Sequence, residues 1–210
     1  PIRVQAPQSL QTLVDQRVEF LTAYQHAAYA EDYRAFVDLV AQQSETLARV
    51  VARNLFKLMA YKDEYEVARL HRSSAFSERL KAEFEGDYTV KYHLAPPMLP
   101  LGKDARGRPN KRAFGPWMGS VFDLLARMKH LRGKWADPFR HHADRRLEVE
   151  LITWFENVLK VLPSHYSRGQ HAHIKSLLQA PMDIRGYGPV KEDAARTVRE
   201  QVAKGIAALR

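Results

Sequence analysis

The sequence predicts a mainly α-helical fold, an irregular helical domain carrying one short β-strand or hairpin insert. Three observations lead there. Apolar residues recur at helical spacing over most of the chain, and near Gly86 the period switches for a few residues to strict alternation. The composition is 45% hydrophobic and 27% charged, rich in Leu, Ala, Glu, Lys and Arg, which suits a globular helical protein rather than a disordered one. At 210 residues the chain can bury one sizeable core, so it reads as a single domain over 1–210.

The elements follow in order. Leu10, Val14, Val18 and Leu21 mark a first helix running to about Ala28, and Tyr33, Phe36, Val37 and Val40 a short second one. Ser44 suits the N-cap of a third, which carries Leu47, Val50, Val51, Leu55 and Leu58. Its continuation through Met59, Val67 and Leu70 predicts one long helix. Lys57, Tyr61, Lys62, Asp63, Glu64, Glu66 and Arg69 crowd around that stripe, and the density of charge beside apolar residues suggests a domain seam. Ser73-Ser74 resets the chain before a stripe of Phe76, Leu80 and Phe84, and Gly86 stands where a helix C-terminus takes a left-handed residue.

Tyr88, Val90, Tyr92 and Leu94 then alternate with Thr89, Lys91 and His93, the pattern of a half-buried strand ended by Pro96-Pro97. The stretch from Leu99 to Arg112 reads as a long basic loop, with Lys103, Arg106, Arg108, Lys111 and Arg112 against the single acid Asp104. Arg112–Gly115 supplies an antiparallel return. Pro116 suits the first position of a helix with Trp117, Val121, Leu124, Leu125, Met128 and Leu131, closed by Gly133. Asp137-Pro138 predicts the cap and start of a longer helix through Leu147, Leu151, Trp154, Phe155, Val158 and Leu162, stopped by Pro163. A short helix around Ile174, Leu177 and Leu178, the glycine-rich turn Ile184–Pro189, and a last helix from Val190 to Ile206 complete the chain.

Charge and composition bound the function. The net charge of +9 and pI near 9.8 favour anionic partners. The positive residues are dispersed and alternate with acids, however, which is the pattern of a solvated face. The basic loop lacks interleaved aromatics for base stacking, which counts against nucleic acid. No apolar run approaches the roughly 18 residues that cross a bilayer, and the opening Pro1-Ile-Arg-Val has no basic-then-apolar signal region, so cytoplasmic residence is the expectation. The start at Pro1 rather than Met suggests a piece excised from something longer. Absent cysteine excludes disulfides, thiol nucleophiles and thiolate-held iron–sulfur clusters from this chain.

Motifs for chemistry are largely missing. Gly102–Gly107 has the glycine spacing of a phosphate loop, but Arg108-Pro109 replaces the required Lys-Ser/Thr. His141-His142 with Asp144, and His171 with His173, have neighbour spacings that face apart on a helix rather than converging on a metal. Ser120 has no nucleophile-elbow context. No catalytic residue and no metal site is assigned.

Several separated phrases, taken in order, resemble one family. They are Val18–Gln25, the dense stretch 52–70, Tyr92–Pro97, Phe114–Met118, Leu131–Gly133, Asp137–Phe139 and Ile184–Glu192. Together they resemble the C-terminal helical region of the fused indolepyruvate:ferredoxin oxidoreductases, in the thiamine-dependent 2-oxoacid:ferredoxin oxidoreductase family. The resemblance implies a parent enzyme, expected to be a homo-oligomer, that converts a 2-oxoacid and coenzyme A to acyl-CoA, CO2 and reduced ferredoxin. It implies thiamine diphosphate, magnesium and iron–sulfur clusters in that parent. The family's diphosphate motif, Gly-Asp-Gly followed by an asparagine, has only the partial match Gly86-Asp87-Tyr88 here, with Asn54, Asn110 and Asn157 as the available amides. This chain is therefore expected to be a catalytically inactive accessory domain that packs on the catalytic domains of the same polypeptide. The alternative is an anion-binding module for coenzyme A phosphates or acidic ferredoxin, using the basic loop with Arg185 and Lys191.

Overall fold

Side-chain caps decide where the helices begin. In a computed structural model, which describes residues 8–86, 88–95, 102 and 110–209, Ser9 Oγ accepts from Thr12 N at 3.0 Å and opens α1, Leu10–Tyr24. His26 Nδ1 accepts from Tyr29 N at 3.1 Å and opens α2, Ala27–Ala41. That cap ends the first helix at Tyr24, short of the expected Ala28. Ser44 caps α3, Glu45–Met59, as the sequence predicts.

The expected long helix through 52–70 is two helices. Ala60 leaves helical geometry, and Asp63 accepts from Glu66 N at 2.8 Å to start α4, Glu64–His71. Each fragment puts its apolar residues on its own face. Leu55, Leu58 and Met59 are fully or nearly buried, whereas Leu70 is exposed. Then come α5, Ser74–Glu83, and an antiparallel ribbon of β1, Tyr92–Leu94, with β2, Arg112–Phe114, in the register Tyr92↔Phe114 and Leu94↔Arg112. The predicted return strand is present. Tyr88–Lys91 is not part of the ribbon.

The second half supplies α6, Met118–Arg127, α7, Ala143–Val161, α8, His171–Gln179, and α9, Pro189–Ala207. The long helix α7 begins five residues later than Asp137-Pro138 predicts. Asp137 instead accepts from Gly133 N at 2.9 Å and Phe139 N at 3.0 Å, so its carboxylate holds a tight turn rather than a helix end. Mainly helical architecture with one small ribbon is what the described residues show.

The chain divides into two compact units, one running to Tyr61 and resuming at Leu131, the other Lys62–His130. The sequence reading treated 1–210 as one domain; the division is the structure's addition. In the first unit α3 is buried around most of its circumference, packed by α1, α2, α7 and α8. Three tyrosines donate to its carbonyls or to the turn after it: Tyr33 to Ala52 O at 3.0 Å, Tyr29 to Met59 O at 2.9 Å and Tyr24 to Tyr61 O at 2.8 Å. The last two satisfy carbonyls orphaned by the end of α3, and each ring buries apolar area besides. In the second unit the buried apolar residues among those described are Tyr65, Ala68, Met118 and Phe122, and Tyr92, Leu94, Phe114 and Leu125 pack against the last three. No helix among the described residues is long and apolar enough to cross a membrane.

Candidate functional site

The strongest concentration of predicted site residues lies where α8 hands over to α9. Helix α8 ends at Gln179, a short 3-10 turn covers Ala180–Asp183, and the glycine-rich turn carries the chain into α9. Gly186 has φ +98 and Gly188 φ +54, both left-handed values that favour glycine. At Gly186 an added Cβ would also lie 2.9 Å from Val190 Cγ1. Gly188 is the N-cap of α9 and Pro189 its first residue, where a missing amide proton is harmless.

Two side chains of α3 hold this handover. Asn54 Nδ2 donates to Leu178 O at 2.5 Å, and Lys57 Nζ donates to Pro181 O at 2.6 Å and Ile184 O at 3.1 Å. Spaced i, i+3, they share a face of α3; Asn54 satisfies a carbonyl in the last turn of α8, and Lys57 two carbonyls of the turn beyond, of which Pro181 O also accepts from Ile184 N. Lys57 came from the expected seam, while Arg185 and Lys191 came from the expected anion site; the fold brings all three together. Burial pushes the Lys57 ammonium below its ordinary pKa, and the charges of Lys191 and Arg185 push the same way, against Asp183 and Glu148. Lys191 is paired with Glu148 of α7, both largely buried. Arg185 Nε donates to Met182 O at 2.9 Å, and its side chain lies at the surface two residues before Tyr187, which is 91% exposed. The chemistry of the cluster is therefore cationic, rigidly mounted and partly satisfied from within.

The other seam candidates sort by burial. Tyr61 is buried, its ring edge-on to Tyr24 at 6.1 Å with the Arg145 guanidinium 5.5 Å away. Asp63 is buried as the cap of α4, Glu64 is half-buried and Lys62 exposed. Arg69 makes a two-pronged pair with Glu66 at 2.7 and 2.8 Å. In the first unit Arg132 lies 3.8 Å over the Tyr24 ring and donates to Tyr24 O at 2.7 Å, and Arg145 sits 3.9 Å from Asp137. These buried charges tie chain segments together; their burial is what the sequence did not announce. Glu66 belongs to the charged crowd the sequence marks, and Arg132 to the phrase Leu131–Gly133, but Glu148 and Arg145 carry no such signal.

Of the basic loop, Lys103, Arg106 and Arg108 lie outside the described residues. Lys111 and Arg112 are exposed, and Asn110 N donates to Gly102 O at 3.1 Å. His173 Nε2 meets Gly205 O at 3.0 Å; a carbonyl only accepts, so Nε2 carries the proton and the ring serves as an α8–α9 fastener. His171 Nδ1 lies 3.4 Å from the Tyr166 hydroxyl, and His142 precedes α7 without a side-chain cap bond. No group of three His, Cys, Asp or Glu among the described residues is placed to hold a metal. Asn54, one of the three amides considered for a diphosphate site, is buried and bonded to Leu178 O. A shallow apolar dimple lined by Val40, Leu47, Leu162, Tyr166, Ile174 and Leu178 has room for roughly one water.

The chain belongs to a family of unknown function (DUF6537), whose match covers residues 10–204. Neither the curated proteins nor the solved structures gave a match.

Proposed function

We propose that this member of the family is a non-catalytic scaffold domain of a thiamine-dependent indolepyruvate (2-oxoacid):ferredoxin oxidoreductase, packed on the catalytic domains of the same polypeptide. The observation that carries the reading is the ordered set of phrases from Val18 to Glu192, which spans nearly the same residues as the family match. What those phrases do in the fold supports it. Arg132, Asp137 and Gly186, all within them, hold turns and backbone carbonyls in place. The parent's thiamine diphosphate, magnesium and iron–sulfur clusters find no fitting donor set in this chain. It has no cysteine to ligate a cluster, and the partial Gly86-Asp87-Tyr88 match lacks the third glycine.

The test is an assay of the intact polypeptide that contains this chain. With indolepyruvate or another 2-oxoacid, coenzyme A, thiamine diphosphate and magnesium, it should reduce ferredoxin, whereas the isolated chain should give no turnover. An intact polypeptide inert toward every 2-oxoacid, or an active isolated chain, would overturn the reading.

One observation favours a second role for the same domain, the binding of an anion. Lys57, distant in sequence, joins Arg185 and Lys191 at the turn before α9. Arg185→Ser, and separately Lys103, Arg106 and Arg108→Ser, would then raise the coenzyme A requirement of the intact enzyme. If acidic ferredoxin is the anion, they would instead raise the ferredoxin requirement and flatten its salt dependence. Unchanged kinetics toward both would leave the scaffold role alone.

A further inference from the structure

Helix α6 carries two apolar stripes, and the fold of its unit uses only one. The inner stripe, Met118 and Phe122, is buried, with Leu125 packed beside it against Ala68 and the ribbon residues Tyr92 and Phe114. The outer stripe has Trp117 60% exposed and Leu124 59% exposed, seven residues apart and so on one face, with Val121 half-buried between them. A surface helix ordinarily turns a polar face outward.

The charges around the outer stripe are one-sided. The single acid of α6, Asp123, is bound to Arg72 at 2.5 Å. Arg127 follows Leu124 by three positions and is exposed. At the other end Arg112 shares a ribbon face with Phe114, whose ring meets Trp117 edge-on at 6.0 Å. Neither Arg112 nor Arg127 makes a side-chain ion pair with the described residues. An apolar centre flanked by uncompensated cations complements an apolar surface flanked by carboxylates. A second copy of the same face would bring like charges together, which is costly. A lipid surface is the poorer fit, because membrane-lying helices offer a broad apolar face and this ten-residue helix has already committed one stripe to its own unit.

We propose that the outer face of α6 docks on an acid-rimmed apolar surface of the catalytic part of the same polypeptide, Trp117 and Leu124 forming the centre and Arg112 and Arg127 the rim. The assignment of the occupant rests on the scaffold reading given above. Trp117 is the expected anchor, since large aromatics at a desolvated centre dominate such interfaces.

Hydroxyl-radical footprinting of the intact polypeptide, read by mass spectrometry, tests this. With the urea-unfolded polypeptide as reference, a docked Trp117 should be protected more than about tenfold, as for a fully desolvated anchor. Leu124→Glu, at a side chain mostly outside the unit, should restore Trp117 oxidation while leaving the helical circular dichroism intact, and Arg127→Glu should restore it in part. Protection under about twofold, the level of a ring left largely in solvent, would overturn the proposal. So would protection that survives both variants, or protection that appears only on adding phosphatidylserine vesicles. The same preparation is assayed for 2-oxoacid-dependent ferredoxin reduction. An active enzyme with an open Trp117 defeats the docking inference alone, and an inactive one with Trp117 protected defeats the enzyme reading alone.

Discussion

The unit that runs to Tyr61 and resumes at Leu131 has a large buried core and polar ties more than a hundred positions long, whereas the unit 62–130 has a small core and a tie, Arg72 to Asp123, that spans 51 positions. In the first, Asn54 and Lys57 reach carbonyls more than a hundred positions away, and Arg132 reaches back to Tyr24. Its interior holds large side chains at or near zero exposure, among them Leu21, Tyr24, Tyr33, Leu55, Leu151 and Phe155. In the second, Asp63 caps the residue three positions on, Ser73 Oγ donates to Leu70 O and Arg69 grips Glu66, each within a single turn. Its buried apolar residues among those described are Tyr65, Ala68, Met118 and Phe122, and its ribbon is three residues a strand. Burying a large apolar side chain stabilises by about 1.5–3 kcal/mol, so the first unit has many such contributions and the second few. A two-strand ribbon of this length is marginal by itself. The contrast assigns the larger share of apolar stabilisation to the first unit.

The sharpest way to break that comparison is to empty one site in each unit. Phe155→Ala should destabilise the first unit by about 3–5 kcal/mol, the cost of a large cavity in a core with no room to collapse. The amides of α3 and α8 should then lose exchange protection together, as measured by hydrogen exchange. Phe122→Ala should affect α4 and α6 and leave α3 unchanged. Equal loss of protection across both units after either substitution would show one cooperative body, and the comparison would fail.

Lys57→Met comes next. It keeps the stem and removes the ammonium from Pro181 O and Ile184 O, and a buried acceptor left without its donor costs about 1–3 kcal/mol. The pH dependence carries a definite sign. The folded pKa of Lys57 is lowered beneath the ordinary 10.5, mainly by burial. The unfolded chain therefore binds more protons between the two values, and stability from this group rises with pH across that window. Subtracting the Lys57→Met unfolding curve from that of the wild type should isolate a positive slope there. A flat difference would place the ammonium in full contact with solvent.

How far these features could be read beforehand depends on distance along the chain. Ser44, Gly133 and the return strand Arg112–Phe114 were legible because each acts on its immediate neighbours; Gly86 is left-handed as expected, but α5 already ends at Glu83. The break after Met59 was not, because apolar spacing ran on through Val67 and Leu70 and masked the local Asp63 cap. Asp137 misled for the opposite reason. Asp-Pro is a good helix start, but this carboxylate holds Gly133 N and Phe139 N, and α7 starts beyond that turn. The union of Lys57 with Arg185 and Lys191 had no local signature at all. It depends on how α3 packs against α8, which periodicity does not encode.

Asp63→Ala sharpens the point about the break with a smaller effect whose sign is decisive. As the cap of α4, the carboxylate accepts from Glu66 N, and its loss should destabilise the second unit by about 1 kcal/mol, within the range of about 0.5–2 for cap removal. Had 52–70 been one continuous helix, the same substitution would stabilise it by about half a kcal/mol through helix propensity. Chemical denaturation followed through exchange of the α4 amides reads the sign directly.

The mildest expected effect is an acid loosening confined to the second unit. His71 stacks on Phe122 at 5.1 Å and meets Tyr92 edge-on at 5.6 Å, so protonating it places a cation in a small aromatic cluster. Burial lowers its folded pKa below 6.5, and Lys62 adds to the shift. With the folded value beneath the unfolded one, the unfolded chain takes up the proton first as pH falls. Stability is therefore unaffected above 6.5 and declines as pH drops from there toward the folded pKa. The ring is partly exposed, which limits the size of the change. Exchange of α4 and α6 amides should quicken over that acid window in the wild type, after correction for the intrinsic pH dependence of exchange, while α3 stays protected. His71→Phe keeps the ring stack and removes the proton, so the acid response of α4 and α6 should disappear. An acid response that persists in His71→Phe would assign it to the carboxylates of the unit, and one that reaches α3 equally would join the two units thermodynamically.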